Sequence, residues 1–203
     1  MKKSLLLLLL LTYVFPACAQ RAEKTFYGEF LDKTYTVKAS VPNLRGRYDL
    51  EIEMQSIDDI STEIYFIVPS RSIPKWTTIM KEVKETFLEW RQKAIENDIK
   101  QASKIIKKCS AVSYMCMPCF RIGEWHKAPY SPISFIFQVK GSNVNLVIAT
   151  GRIEASNNGF IRSAGGVIIL SSEKEINDFI SCFKEDWVRN YYDNQKQIDA
   201  LFQ

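Results

Sequence analysis

Residues 133–148 read ISFIFQVKGSNVNLVI, and this stretch decides the fold class. Large apolar residues alternate with others in its first half, at Ile133, Phe135, Phe137 and Val139. That period of two is typical of a strand with one buried face. Gly141-Ser142 then predicts a tight turn, and Val144, Leu146 and Ile148 resume the alternation. The stretch therefore predicts an antiparallel hairpin.

Downstream of this hairpin the chain continues with turn and strand signals. Asn158-Gly159 is the strongest short hairpin signal in the sequence. It leads into the apolar run Val167 to Leu170, where Gly165-Gly166 indicates a bulge or a close approach of two backbones. Three consecutive antiparallel strands follow from these turns. Ser172 and Glu175 then form a capping box that predicts the start of a C-terminal helix.

Upstream, roughly four strands are predicted before a long helical pattern. The first of them lie in residues 25–41, which are rich in aromatic and β-branched side chains and have a plausible turn at Asp32-Lys33. Alternating apolar residues predict strands around 50–54 and 64–68, and Pro74 suits the first turn of a helix. The helical stripe recurs at three- and four-residue steps, at Trp76, Met80, Val83, Phe87, Trp90 and Ala94. It then shifts to Ile95, Ile99, Ala102 and Ile106, which predicts a long helix that is broken or bent near Asn97 and continues beyond it.

Hairpin-built strands and helices packed on one face place the chain in the α+β class. The expected fold has antiparallel sheets, a long central helix and a C-terminal helix. Residues 20–203 are long enough for one domain with its own core. The order is also compatible with two strand-then-helix halves, about 20–108 and 109–203.

Residues 1–19 predict a secretory signal peptide. Lys2 and Lys3 form a cationic start, a leucine run follows, and Ala17-Cys18-Ala19 is a small-residue exit before Gln20. The apolar stretch is shorter than the roughly 20 residues that span a bilayer. We expect an exported protein, periplasmic or secreted. Lipidation of Cys18 is the alternative, and it would tether the protein to a membrane.

Charge excludes one class of partner. The formal net charge of the whole chain is +4, and cleavage removes two lysines and no acid. A nearly neutral exported chain argues against nucleic acid as the partner. The sequence contains no second long apolar run, so no transmembrane segment is predicted. The expected partner is a protein or a component of the cell envelope, with no cofactor.

Four cysteines remain after cleavage, at Cys109, Cys116, Cys119 and Cys182. An even number in an oxidising compartment predicts two disulfides, for which three pairings exist. Such bridges would stabilise the domain by about 2–4 kcal/mol each.

Cys116-Met117-Pro118-Cys119 resembles the redox motif of thioredoxin-like oxidoreductases. The resemblance covers four residues and implies that Cys116 is the nucleophile and Cys119 the resolving thiol. The following residues show no helical stripe, which departs from the family pattern. A thiol–disulfide oxidoreductase is therefore an alternative function.

A structural zinc site is a further alternative. Cys109, Cys116, Cys119 and His126 supply the four ligands of a tetrahedral site. Export favours cysteines that are oxidised to disulfides over cysteines that bind zinc.

The segment from Phe120 to Pro132 is predicted to be a loop stiffened by Pro129 and Pro132. It carries aromatic and basic residues of the kinds that anchor recognition surfaces, at Arg121, Trp125, His126 and Tyr130. No catalytic motif stands beside them. The sequence thus predicts an exported, non-catalytic binding domain that is stabilised by disulfides.

Overall fold

The computed structural model describes residues 21–58, 61, 63–109, 116–129 and 131–201. Within these residues the strands are β1 (Ala22–Gly28), β2 (Lys33–Ala39), β3 (Asp49–Ser56), β4 (Glu63–Pro69), β5 (Gln101–Cys109), β6 (Met117–Ile122), β7 (Glu124–Lys127), β8 (Ile133–Lys140), β9 (Asn143–Ala149), β10 (Ile153–Glu154), β11 (Arg162–Ser163) and β12 (Gly166–Leu170). The helices are α1 (Ile73–Glu96), α2 (Glu173–Ser181) and α3 (Asp186–Leu201). One-turn 3-10 helices cover Glu29–Leu31 and Ser70–Ser72.

Ten of these strands form one antiparallel sheet. Its main order is β5-β8-β9-β12-β3-β4-β6-β7, and β10 pairs with β11 separately. One edge of β3 is shared, because Leu50 and Ile52 pair with β2 while Gln55 and Ser56 pair with β12. The β1–β2 hairpin joins the sheet at this fork.

The core lies between the sheet and α1. Trp76 is fully buried and meets Phe66 of β4, Phe135 of β8 and Phe183, with ring centroids 5.5–6.2 Å apart. Phe87, about three turns further along α1, packs on Phe137. The α+β class, the antiparallel pairing, the long helix and the C-terminal helix are confirmed.

The C-terminal helices cover the β1–β2 end of the same face. Phe179 of α2 packs on Phe26 of β1 with ring centroids 5.0 Å apart. The predicted capping box is present, because the Glu175 N–H donates to Ser172 Oγ and the Ser172 hydroxyl donates to Glu175 Oε1. In α3 the Tyr192 hydroxyl donates to the Ala39 carbonyl. In the part of the chain described, no helix combines the length and apolar character needed to cross a bilayer.

The helix predicted to continue past Asn97 ends there instead. Asp98 adopts a left-handed conformation with φ +49°. The Ile99 N–H donates to the Ala94 carbonyl at 2.9 Å, and the Asp98 N–H donates to the Ile95 carbonyl at 3.2 Å. These two bonds form a Schellman-type helix end. Residues 101–109 then pair with β8 as an edge strand, so the prediction that a broken or bent helix continues beyond Asn97 was wrong.

The strand pairing and the close backbone approach that the turn residues predicted are both present in the structure. Strands β8, β9 and β12 are consecutive antiparallel neighbours, as predicted. Asn158-Gly159 lies between β10 and β11, where the Asn158 side chain accepts a hydrogen bond from the Phe160 N–H. Gly165 has φ +100°, and a Cβ there would lie 1.8 Å from the Gly151 carbonyl oxygen. The predicted close approach of backbones is therefore confirmed.

The segment predicted as a stiffened loop contains two strands. β6 and β7 form a hairpin whose turn is Gly123, with φ +69°. Sequence periodicity missed it because β7 has only four residues, too few to show an alternation.

Candidate functional site

The sheet has one face that the helices leave open. Along β3 and β4 the even-numbered residues, such as Ile52 and Phe66, are buried against the helices. The odd-numbered residues, such as Glu51 and Tyr65, point to the opposite face and are only half-buried. A groove of about 610 Å³ lies on this face and crosses β1, β2, β3, β4, β6 and β7. That size is within the usual range for small-molecule sites.

One half of the groove is charged. It consists of Arg21, which directly precedes β1, and of side chains from β1, β2 and β3, at Glu23, Lys38 and Glu51. Glu23 lies opposite Lys38, and Lys38 lies opposite Glu51, so charges alternate along a single row across the strands.

The other half is aromatic and apolar. Tyr65 and Trp125 contact each other with ring centroids 5.6 Å apart and planes inclined by 54°. Ile67 and Cys119 continue this surface on β4 and β6. Trp125 lies on the edge strand β7 and leaves 48% of its surface exposed. A partly exposed aromatic pair in a concave surface is a usual place for a ligand to bind.

Each carboxylate that lines the groove has a cationic partner. Glu51 binds Arg21 at 2.8 Å, Glu23 lies 3.7 Å from Lys38, and Glu63 binds Arg121 at 3.0 Å. Lys127 lines the aromatic half, and no carboxylate of the described residues lies within 4.0 Å of its ammonium group. The groove therefore carries one positive charge that is not balanced by an adjacent acid.

The Tyr65 hydroxyl remains a neutral donor in this setting. Burial, followed by the charges of Glu53, Glu63 and Glu51, raises the pKa of Tyr65 to about 12. Its hydroxyl lies 3.5 Å from Glu63 Oε2, at the limit of a hydrogen bond. It can therefore turn to a ligand oxygen at little cost.

The structure separates the four residues that the sequence singled out for binding. Arg121 and Trp125 lie directly opposite each other on β6 and β7, on the groove side. His126 points the other way, is 2% exposed and packs against Phe120 with ring centroids 5.4 Å apart. Tyr130 lies outside the described residues.

The predicted disulfides are absent, and this corrects the expectation of a stapled domain. Cys109, Cys116, Cys119 and Cys182 are all buried, free thiols. Cys119 lies on the groove side of β6, whereas Cys182 ends α2 on the helix side and its thiol donates to the Asp178 carbonyl at 3.5 Å.

The alternative of thiol–disulfide exchange is also wrong. A redox-active CxxC motif needs a first thiol with a lowered pKa, usually at a helix N-terminus. Here Cys116 directly precedes β6 and Cys119 lies within it. Burial, reinforced by Cys109, raises the pKa of Cys116 to about 12, and burial raises that of Cys119 to about 12. Both thiols are therefore kept protonated.

The zinc alternative fails on geometry. No group of three or more His, Cys, Asp or Glu residues in the described ranges is arranged to hold a metal ion. Along the β6–β7 pairing Cys119 lies opposite Lys127 on the groove side, while His126 lies opposite Phe120 in the core. Thus two of the four predicted ligands point to opposite faces of the sheet.

The sequence reading missed most of the groove. One signal was available: Ile64 to Val68 is apolar or aromatic at every position, so β4 has an apolar outer face as well as an apolar inner one. The charged half gave no local signal, since its four residues come from three segments of the chain.

Comparison with models of protein families, with curated proteins and with solved structures finds no match for this chain. The fold and the groove define it as an α+β protein with an open, concave sheet face. Its function has to be inferred from the groove itself.

Proposed function

We propose that the groove binds an amphipathic anion, a small ligand with an aromatic or aliphatic body and one acidic group. The observation that carries this proposal is the position of Lys127, whose ammonium group has no adjacent carboxylate among the described residues, beside the partly exposed Tyr65–Trp125 pair. The body of the ligand would lie against Trp125 and Ile67. Its acidic group would pair with Lys127.

Charge supports an anion over a cation. The three lining carboxylates are each paired with a lysine or arginine, so a cationic ligand would have to displace one of these partners. An anionic group can pair with Lys127 without displacing a lysine or arginine from a carboxylate. The neutral Tyr65 hydroxyl is a second donor for the same group.

Size and shape limit the ligand. A groove of about 610 Å³ accommodates a molecule of drug-like size, not a folded partner. Because the groove is open along the sheet, the ligand would remain partly exposed to solvent.

Binding of anilinonaphthalene sulfonate, a fluorescent amphipathic anion, tests the proposal. Lys127→Gln removes a charged contact worth about 1.5–3 kcal/mol, so we expect Kd to rise roughly 10- to 100-fold. Trp125→Ala should raise it by a similar factor, because exposed aromatic anchors contribute about 2 kcal/mol or more. Lys108→Gln, on the distant strand β5, is the matched control and should leave Kd unchanged.

Two further measurements complete the experiment. Thermal unfolding followed by circular dichroism establishes that each variant is folded. A competition series with phenylpropionate and its neutral amide isolates the charge, since only the acid should displace the probe effectively. Equal Kd values for wild type and Lys127→Gln would refute the proposal.

We also propose, from residues 1–19 alone, that the chain is exported and meets its ligand outside the cytoplasm. Thiols that are buried and protonated react slowly, so free cysteines are compatible with an oxidising compartment. The intact mass of protein recovered from its host tests this. A chain that starts at Gln20 indicates cleavage, a lipid-sized increment on Cys18 indicates a tether, and an intact Met1 start contradicts export.

A further inference from the structure

A second hollow lies at the end of the sheet where β2 ends, β3 begins and β4 ends. It has a volume of about 410 Å³. Its charged lining consists of Arg47, Arg71 and Asp49, and hydroxyl groups are supplied by Ser40 and Ser70. The groove described above includes none of these residues.

In the part of the chain that the structure describes, both arginines of this hollow lack an acidic partner, whereas four of the nine arginines have one. Arg21, Arg121, Arg162 and Arg189 each lie within 4.0 Å of a glutamate carboxylate. Within the described ranges, neither Arg47 nor Arg71 has an acidic group at that distance. Among the described residues the same holds for Arg45, Arg91 and Arg152.

The backbone around these side chains is held in place. The Asn43 side chain accepts hydrogen bonds from the Arg45 and Arg47 N–H groups at 2.9 and 3.1 Å. The Gly46 N–H donates to the Asn43 carbonyl at 2.8 Å, which closes the loop. On the other wall the Ser70 N–H donates to the Tyr48 carbonyl at 2.8 Å. The backbone that carries each arginine is therefore held in position before a ligand binds.

We propose that this hollow binds a dianionic oxyanion, a phosphate or sulfate group, between Arg47 and Arg71. Guanidinium groups offer paired donors that match the oxygens of these anions. Two guanidinium groups together carry the positive charge that a dianion balances, and Asp49, which lines the same hollow, weakens this attraction. The hydroxyls of Ser40 and Ser70 are further donors.

Titration of the folded, isotopically labelled protein with inorganic phosphate tests this, at neutral pH and at ionic strength held constant with chloride. Amide signals of residues 43–47 and 70–71 should shift and saturate. Arg47→Gln and Arg71→Gln should each raise Kd by about tenfold. Asp49→Asn should lower it, because the competing carboxylate is removed. Arg152→Gln, which changes an exposed arginine elsewhere, is the matched control and should have no effect.

Shifts that do not saturate, or that are the same in Arg47→Gln and in wild type, would overturn the proposal. So would an Asp49→Asn variant that binds no more tightly. Vesicles of phosphatidylcholine with and without phosphatidic acid then distinguish the source of the group. Binding only to vesicles with phosphatidic acid, competed by phosphate, assigns a lipid headgroup, and phosphate binding without vesicle binding assigns a soluble phosphate.

Discussion

Replacing Asp58 by asparagine tests how the loop between β3 and β4 is joined to the segment before β12. Asp58 Oδ1 accepts a hydrogen bond from the Ser61 N–H at 2.9 Å. Asp58 Oδ2 accepts from the Ser163 hydroxyl at 3.0 Å and from the Ala164 N–H. Partial burial acts to raise the pKa of Asp58, but these hydrogen bonds outweigh it and lower the pKa from 3.8 to about 2.

The size of the effect follows from this pKa. A carboxyl group lowered from 3.8 to about 2 on folding corresponds to an upper bound of about 2.5 kcal/mol. Asp58 is only partly buried, so screening by solvent reduces the expected value to about 1 kcal/mol. A group with a lowered pKa stabilises the fold above the unfolded-state pKa. The contribution is lost as the pH falls from about 4 through about 2.

Urea denaturation of wild type and Asp58→Asn measures this at a series of pH values. We expect the variant to be less stable by about 1 kcal/mol at neutral pH. The difference should shrink below about pH 4 and approach zero near pH 2, because the protonated acid and the amide are then similar. Asp199→Asn, an exposed carboxylate on α3, is the matched control and should change stability by less than about 0.5 kcal/mol. A difference that stays constant from neutral pH to about pH 2 would refute the reasoning.

Three further changes test other parts of the fold. Gly165→Ala should cost at least about 3 kcal/mol, because its Cβ would meet the Gly151 carbonyl, whereas Gly151→Ala, with open space around it, should cost only about 1–2 kcal/mol in a thermal melt. His126→Phe should leave stability unchanged or raise it by about 1 kcal/mol in urea, because both ring nitrogens are buried without a partner in the described chain. A loss above about 1 kcal/mol would reveal a polar partner for the ring. The four buried cysteines should resist alkylation in the folded protein and react without reductant once it is unfolded, and mass spectrometry that finds them unreactive in both states would instead show disulfides.

Much of the fold could be predicted because its signals are local. The 133–148 hairpin, the Ser172–Glu175 capping box and the first stripe of α1 each lie within one window of the sequence. The end of α1 could not be predicted in this way. Ile99, Ala102 and Ile106 imitate a helical stripe, and the left-handed turn at Asp98 is decided by hydrogen bonds back to Ala94 and Ile95.

The cysteine prediction failed for a different physical reason. The number of cysteines and the predicted cellular compartment indicate that disulfides are able to form. They do not indicate which face of a strand carries each thiol. Once β6 is placed between β4 and β7, Cys119 points into the groove while the thiol of Cys182 faces the helix layer. Burial then makes both thiols unreactive.

The groove depends on the register of β7, which no local pattern specifies. Trp125 and Lys127 line the groove because Gly123, at φ +69°, makes a turn that sets them opposite Arg121 and Cys119. A slip of one residue would turn His126 into the groove and place Trp125 and Lys127 in the core. Burying an unpaired lysine is costly, so the core itself selects the register that exposes the aromatic and cationic side chains. The same alternation that buries His126 therefore creates the site that we propose for an amphipathic anion.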